Sequence, residues 1–230
     1  KRCVAWNVEG VLLSLSAESM SLDHLDILKN AEIECVLLDK TITVKNDFYS
    51  TVGIDGSAAT YDAAKELIDN GHRNIIGIFA NPSLSITQNR LNGFKKALSQ
   101  NKIPINTENI ILVEKATDLD FILPHVLKHN KKITALFAMS DELLAATHHH
   151  ITKAGKIIPH DISVVAISDG VYPYLLHPKI SHIKHSGYRL GRKSTSFLIS
   201  QIEKKHGVKK EIIKTKKIFL ESIKNIEQKP

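Results

Sequence analysis

Side chains able to hold or transform a ligand fall at recurring places in this 230-residue chain, just beyond short apolar runs. They are Ser14 and Ser16, Asp39, Asn81, Ser140 with Asp141, and Ser168 with Asp169. Hydroxyls, amides and carboxylates in such positions suit hydrogen bonding to a polar small molecule. They do not suit nucleophilic catalysis, because no Gly-x-Ser-x-Gly elbow is present. The stretch Gly187-Tyr-Arg-Leu-Gly191-Arg-Lys-Ser194 departs from a phosphate loop in spacing and carries an extra arginine, and no Gly-x-Gly-x-x-Gly occurs. Twelve histidines invite a metal reading. His148, His149 and His150 are consecutive, so on a helix they fan out by about 100° each and cannot converge on one ion. His125 and His129 could share a helix face, but no third ligand is placed. The residues therefore predict no catalysis, no metal and no cofactor.

The elements that position these groups are legible in the hydropathy pattern. Apolar runs at 11–15, 33–38, 75–80, 110–113, 133–138 and 162–167 are rich in Val and Ile, as expected of strands buried on both faces. Helix-period stripes lie between them. Ala59, Ala63, Ala64, Leu67 and Ile68 form one, Leu91, Phe94 and Leu98 a second, and Leu143, Thr147, Ile151 and Ala154 a third. Asp141 is placed as an N-cap and Gly155 as a helix stop. Residues 187–206 read as a long helix with Leu190, Phe197, Leu198 and Ile202 inward, and 211–221 as a basic, strand-like piece. Strand and helix alternating at this spacing predict an α/β fold with parallel sheets, whose ligands bind beyond the carboxyl ends of the strands.

Composition bounds the class. The chain is 43% hydrophobic and 24% charged, enough for a sizeable core, and no run of about 18 apolar residues forms a transmembrane helix. Cys3 and Cys35 cannot build a disulfide scaffold, so a reducing cytoplasm is the simpler location. The formal charge of +7 is concentrated late: residues 189–230 hold 12 Lys/Arg and 4 Asp/Glu. Such a bias suits either a nucleic-acid partner or a solvated helix face with a lysine-protected edge strand. Residues 1–6 read as the last turns of a helix, which suggests a fragment of a longer protein.

Four segments stand out together. They are Gly71-His-Arg-Asn-Ile75, Arg90-Leu-Asn-Gly-Phe94, the strand-to-helix stretch Ala138-Met-Ser-Asp-Glu-Leu-Leu-Ala145, and Ile158-Pro-His-Asp-Ile-Ser-Val-Val-Ala-Ile-Ser-Asp169 followed by His177-Pro-Lys-Ile-Ser181. In this order and spacing the set resembles the core of LacI/GalR-type bacterial transcription regulators, over essentially the whole chain.

The resemblance implies a periplasmic-binding-protein-like architecture: two Rossmann-like parallel-sheet subdomains, a three-strand hinge and a small-molecule effector in the cleft. Residues 1–54 with 185–214 would form the N-terminal subdomain, truncated at its start, and 55–184 with 215–230 the C-terminal one. It implies an effector, sugars being the family's usual class, operator DNA bound through a headpiece missing here, a homodimer, no membrane and a cytoplasmic location. An extracytoplasmic solute-binding protein of a transporter or sensor is the alternative on the same fold. By match to the family's motifs, Arg90 would be the effector-binding arginine and Asp39 an acidic ligand contact. Ser14 would reach the cleft, and Ile54 would form an apolar wall beside the hinge. Ser140 would be the ligand contact of the Ser140–Asp141 pair. Ser168 stands where the family commonly has an acid, with Asp169 able to substitute from the next position.

Overall fold

The computed structural model describes residues 2–15, 21–39, 48–204 and 207–226, so Ser16 lies outside the described residues. The chain divides into two compact units, residues 1–55 with 186–214 and residues 56–185 with 215–230.

The first unit opens with helix α1 (Arg2–Ala5), strand β1 (Gly10–Leu13), helix α2 (Asp26–Asn30) and strands β2 (Glu34–Leu38) and β3 (Ser50–Gly53). The second unit follows with α3 (Gly56–Asp69), β4 (Ile75–Phe79), α4 (Ser85–Gln100), β5 (Ile110–Leu112), α5 (Leu119–His129) and β6 (Ala135–Ala138). It continues with α6 (Asp141–Lys153), β7 (Ser163–Ser168), α7 (Tyr172–Leu175) and β8 (Ser181–Lys184). The long helix α8 (Gly187–Ile202) and β9 (Lys210–Ile212) return to the first unit, and β10 (Lys216–Ile218) belongs to the second.

Each of the six apolar runs forms a strand. In the first unit the order is β1-β2-β3-β9, parallel throughout. In the second it is β10-β8-β7-β6-β4-β5, parallel except where β10 lies antiparallel on β8. Side chains on β2 alternate between two cores, as the two-residue period of a strand requires. Cys35 and Leu37 join Leu25, Leu28 and Ile33 on one face, while Val36 joins Val52, Leu190 and Phe197 on the other. The second unit buries one continuous core centred on Phe79, Phe94 and Phe137, whose ring centroids lie 5.5–6.0 Å apart.

Two strands that no apolar run announces depend on polar residues. Ser50 on β3 is fully buried, and its Oγ accepts a hydrogen bond from the Lys209 N–H at 2.9 Å. Ser181 on β8 is fully buried too; its N–H donates to Ser222 Oγ and its Oγ accepts from Leu220 N–H, both at 2.8 Å. The basic strand-like piece is two short strands, and each lies at the edge of its sheet. Lys210, Lys216 and Lys217 are exposed there, and lysines on an edge oppose pairing with another chain.

The motif at 71–75 is a structural lock. His72 is buried and its Nε2–H donates to the Lys224 carbonyl at 3.0 Å, while Ile226 N–H donates to the Asn70 carbonyl. The turn between α3 and β4 thereby holds the C-terminal segment. Burial pushes the His72 imidazole below its ordinary pKa of 6.5, despite the opposing pull of that hydrogen bond. Gly93 serves a second packing role. A Cβ there would stand 2.1 Å from the Ser57 carbonyl oxygen, so only glycine lets α4 approach the start of α3. Among the described residues no helix is long and apolar enough to cross a membrane.

Candidate functional site

In the second unit the polar residues gather at the carboxyl ends of β6 and β7, which are neighbours with Ala138 opposite Ala166. Arg90 reaches this point from α4. Its side chain is buried, and Nη1 donates to the Met139 carbonyl at 2.5 Å, one residue past the end of β6. The guanidinium is thus anchored to backbone beside Ser140, a fixed fork of donors at the strand end.

Ser140, not Asp141, is the N-cap of α6. Its backbone is extended, and its Oγ accepts from the Leu143 N–H at 3.4 Å. This corrects the assignment of the cap to Asp141. Serine and aspartate cap comparably well, so residue type could not separate the adjacent pair, and the helix begins one residue earlier than that assignment assumed. Asp141 is instead the first helical residue, where its carboxylate faces the positive end of the helix dipole. Its Oδ2 accepts from the Asp169 N–H at 3.3 Å, tying the two strand ends together.

Ser168 is fully buried, and its Oγ accepts from the Gly170 N–H at 2.8 Å. It closes the turn after β7. Asp169 is exposed, and its Oδ1 accepts from the Val171 N–H at 3.1 Å. The turn continues through Gly170 at a φ of 97°, a conformation that favours glycine. Lys184 lies across it: a Cβ at Gly170 would come within 2.8 Å of its Nζ. Lys184 was absent from the candidates read from sequence. No local pattern in the sequence marks it; the register of β8 on β7 places it opposite Ser168. Where the family pattern leads one to expect a carboxylate, this chain has a buried hydroxyl with an ammonium beside the turn. His182, two residues before Lys184, is buried on the same strand; burial pushes its imidazole down, and the Lys184 charge acts in the same direction.

In the first unit, Ser14, Asp39 and Ile54 stand just beyond the ends of the adjacent parallel strands β1, β2 and β3. Ser14 is exposed; Asp39 and Ile54 are half-buried. Asp39 has a φ of 62°, in the left-handed region that aspartate tolerates better than most residues. Its N–H donates to the Val52 carbonyl at 2.9 Å, which fixes it against β3. Asn81, beyond β4, is committed to other partners: Nδ2 donates to Glu114 Oε2, just after β5, at 2.6 Å, and Oδ1 accepts from Ser83 N–H in its own loop.

The histidines do other work. His148 Nε2–H donates to the His177 carbonyl, His125 and His129 stack at 4.2 Å, and His150 Nε2 meets Asp120 Oδ1 at 2.8 Å. Among the described residues no group of three or more His, Cys, Asp or Glu side chains is placed to hold a metal. Residues 187–194 are the first two turns of α8 rather than a loop.

The model of the periplasmic binding protein-like domain matches residues 64–220. The chain belongs to that family. It is 30% identical over 204 residues to the HTH-type transcriptional regulator MalR of Clostridium butyricum, covering 87% of this chain and 61% of that protein. It is 34% identical over 146 residues to the ribose operon repressor of Haemophilus influenzae, covering 62% and 43%. The chain therefore spans about three fifths of the first of these relatives and less of the second. Among solved structures, a LacI-family transcriptional regulator from Enterococcus faecium with bound ribose shares the fold at a TM-score of 0.86 and 22% identity, over 98% of this chain and 83% of that one. The complex of the transcriptional regulator CelR with cellobiose does so at 0.85 and 22%, over 96% and 68%. The resemblance to LacI/GalR-type regulator cores carried by the four motifs holds along nearly the whole chain, with the two-sheet α/β architecture of those cores.

Proposed function

We propose that this chain is the effector-binding core of a bacterial LacI-type transcription regulator, a non-enzymatic cytoplasmic protein. In it a small molecule, most simply a sugar, controls binding of operator DNA by a DNA-binding part lying outside this sequence. The observation that carries the reading is the alignment with curated transcriptional regulators along most of the chain. It favours this function over an exported solute-binding protein. Support for the site comes from the arginine anchored at a strand end and from the hydroxyls and carboxylates set at the carboxyl ends of parallel strands in each unit. Arg90, Ser140, Asp169 and Lys184 are the groups proposed to meet the effector in the second unit, around the turn that Ser168 closes. Ser14, Asp39 and Ile54 are those proposed in the first.

The mechanism is a shift between two states of the protein. An effector at 100 times its Kd for one state, with no affinity for the other, supplies about 2.7 kcal/mol. The coupling is reciprocal, so operator DNA must change effector affinity by the same factor. A homodimer matches a two-fold operator.

Calorimetric titration of a sugar panel led by ribose and cellobiose, the ligands of two solved neighbours, tests the reading. Arg90→Ala removes donors worth roughly 1.5–3 kcal/mol to a charged acceptor and less to a neutral sugar hydroxyl. We expect affinity to fall by about tenfold or more. Circular dichroism checks that the variant folds, and the exposed Asp169→Ala serves as a second variant. Unchanged affinity in a folded Arg90→Ala protein would remove Arg90 from the site. Absence of binding by the whole panel, together with operator binding indifferent to it, would reject the sugar reading.

A further inference from the structure

The second unit carries a second candidate site, remote from the strand ends just described. Helices α5 and α6 both run toward the amino-terminal end of the parallel sheet, since each is followed by a parallel strand that starts there. Between their last turns lies a cavity of about 640 Å³ lined by Lys128, Lys131, Lys153, Lys156, His150 and Asp161, with Pro124, Leu127 and the turn at Ala154 and Gly155. That volume is within the usual range for small-molecule sites, roughly 300–1,000 Å³.

The charge of the lining is one-sided. Four lysines face one carboxylate, Asp161, which already accepts from the Ile157 N–H at 2.8 Å and meets His160 Nδ1 at 3.0 Å. Lys128 and Lys153 lie in the last turns of their helices, where the helix dipole alone favours a cation. Lys131 and Lys156 lie beyond the helix ends, so the dipole does not account for them. His150 provides a separate sign. It is 4% exposed and lines the cavity, its Nε2 meets Asp120 Oδ1, and its Nδ1 has no hydrogen-bond partner among the described residues. With Nε2 the donor to the Asp120 carboxylate, Nδ1 is the acceptor nitrogen of the ring, and a buried acceptor without a partner is costly unless a water or a P–OH group of a ligand donates to it. A turn built on Gly155, at a φ of 70° with nothing within 4 Å of a Cβ placed there, keeps the rim open.

We infer that this cavity binds a small phosphate-bearing anion through Lys131, Lys156, Lys128 and Lys153, as a ligand distinct from the one held at the strand ends. The concave shape and the buried imidazole suit a small molecule better than a macromolecular surface. The role is that of a second input to the same core, and it does not depend on the identity of the first ligand.

The test uses the intact protein and inorganic pyrophosphate, with inorganic phosphate in parallel, titrated calorimetrically at constant ionic strength. Pyrophosphate should bind saturably at one site per chain. The double variant Lys131→Gln/Lys156→Gln should weaken binding by about tenfold or more, the ratio typical of one charge-assisted hydrogen bond. Lys128→Gln/Lys153→Gln should do the same. Lys128, Lys131 and Lys153 are exposed and Lys156 is half-buried, none with an ion pair among the described contacts, so the variants should fold, with the urea midpoint lowered only slightly, by the loss of the two helix-end charges at Lys128 and Lys153. In nuclear magnetic resonance spectra the His150 imidazole signals should move on binding. Absence of saturable binding overturns the proposal. So does binding that survives both double variants, which would mark an ion elsewhere. A duplex oligonucleotide that binds where pyrophosphate does not, and is lost in the same variants, also overturns it in favour of a nucleic-acid surface.

Discussion

Gly93→Ala puts the packing of the second unit to a direct test. In an ordinary helix this substitution stabilises by about 1 kcal/mol, because alanine has the better helix propensity and restricts the unfolded chain. Here the added Cβ would stand 2.1 Å from the Ser57 carbonyl oxygen and 2.8 Å from its carbon, against 3.4 Å for ordinary contact. The start of α3 must therefore retreat by about 1.3 Å, the difference of those two oxygen distances. The obstacle is backbone at a helix start, not the flexible end of a side chain, so the cost belongs at the upper end of the roughly 1–3 kcal/mol seen for overpacking. Subtracting the propensity gain leaves a net loss of about 2 kcal/mol. Urea unfolding followed by circular dichroism measures it, with Asn92→Ala on the exposed face of the same helix as control. The control should gain a few tenths of a kcal/mol, roughly the propensity difference. A Gly93→Ala protein as stable as the wild type would refute the close approach of α3 and α4. Arg90 lies one turn before Gly93, and its Cγ is 3.3 Å from a Cβ built at Gly56, so the same variant should also weaken effector binding.

Other consequences are equally open to measurement. His72 and His182 are held neutral by burial, so the unfolded chain takes up protons that the folded one refuses just below their ordinary value of 6.5. Stability should then be level above that pH and fall as pH drops through it, so urea midpoints at about pH 7.5 and about pH 5.5 should differ, the lower pH giving the lower midpoint. Ser140→Ala should cost about 1 kcal/mol in the same assay while Ser140→Asp costs little, since aspartate caps as well as serine; equal losses would put the cap elsewhere. Cys35 is buried and its thiol is pushed up to about 11, chiefly by desolvation, whereas Cys3 is half-buried. A thiol reagent near neutral pH should therefore label Cys3 first, and comparable rates at both would contradict the packing around β2.

Much of the architecture was legible because it rests on local patterning. Val and Ile runs marked six strands, and apolar stripes such as Ala59, Ala63, Ala64, Leu67 and Ile68 marked helix faces that are buried in full. Strands β3 and β8 escaped that reading because Ser50, Ser181 and His182 interrupt the apolar pattern. The Ser50 and Ser181 hydroxyls, the Ser181 N–H and His182 Nδ1 are matched by Lys209, Leu220, Ser222 and the Ile180 carbonyl, at separations in sequence that no local pattern can express for most of them.

The residue types thus determined the class of this protein: alternating strands and helices, four motifs in order, and a polar group after most strands. Only the tertiary structure decided what those polar groups do. Ser140 caps and Asp141 braces because the helix starts one residue earlier than composition suggests. Ser168 turns inward while Lys184, distant in sequence, lies over the same turn because β7 and β8 are paired in register. Four lysines spread over residues 128–156 become one basic cavity because α5 and α6 end side by side. Periodicity specifies which face a residue occupies, but the partner across that face is set by how the elements pack, and charge and burial follow from the partner.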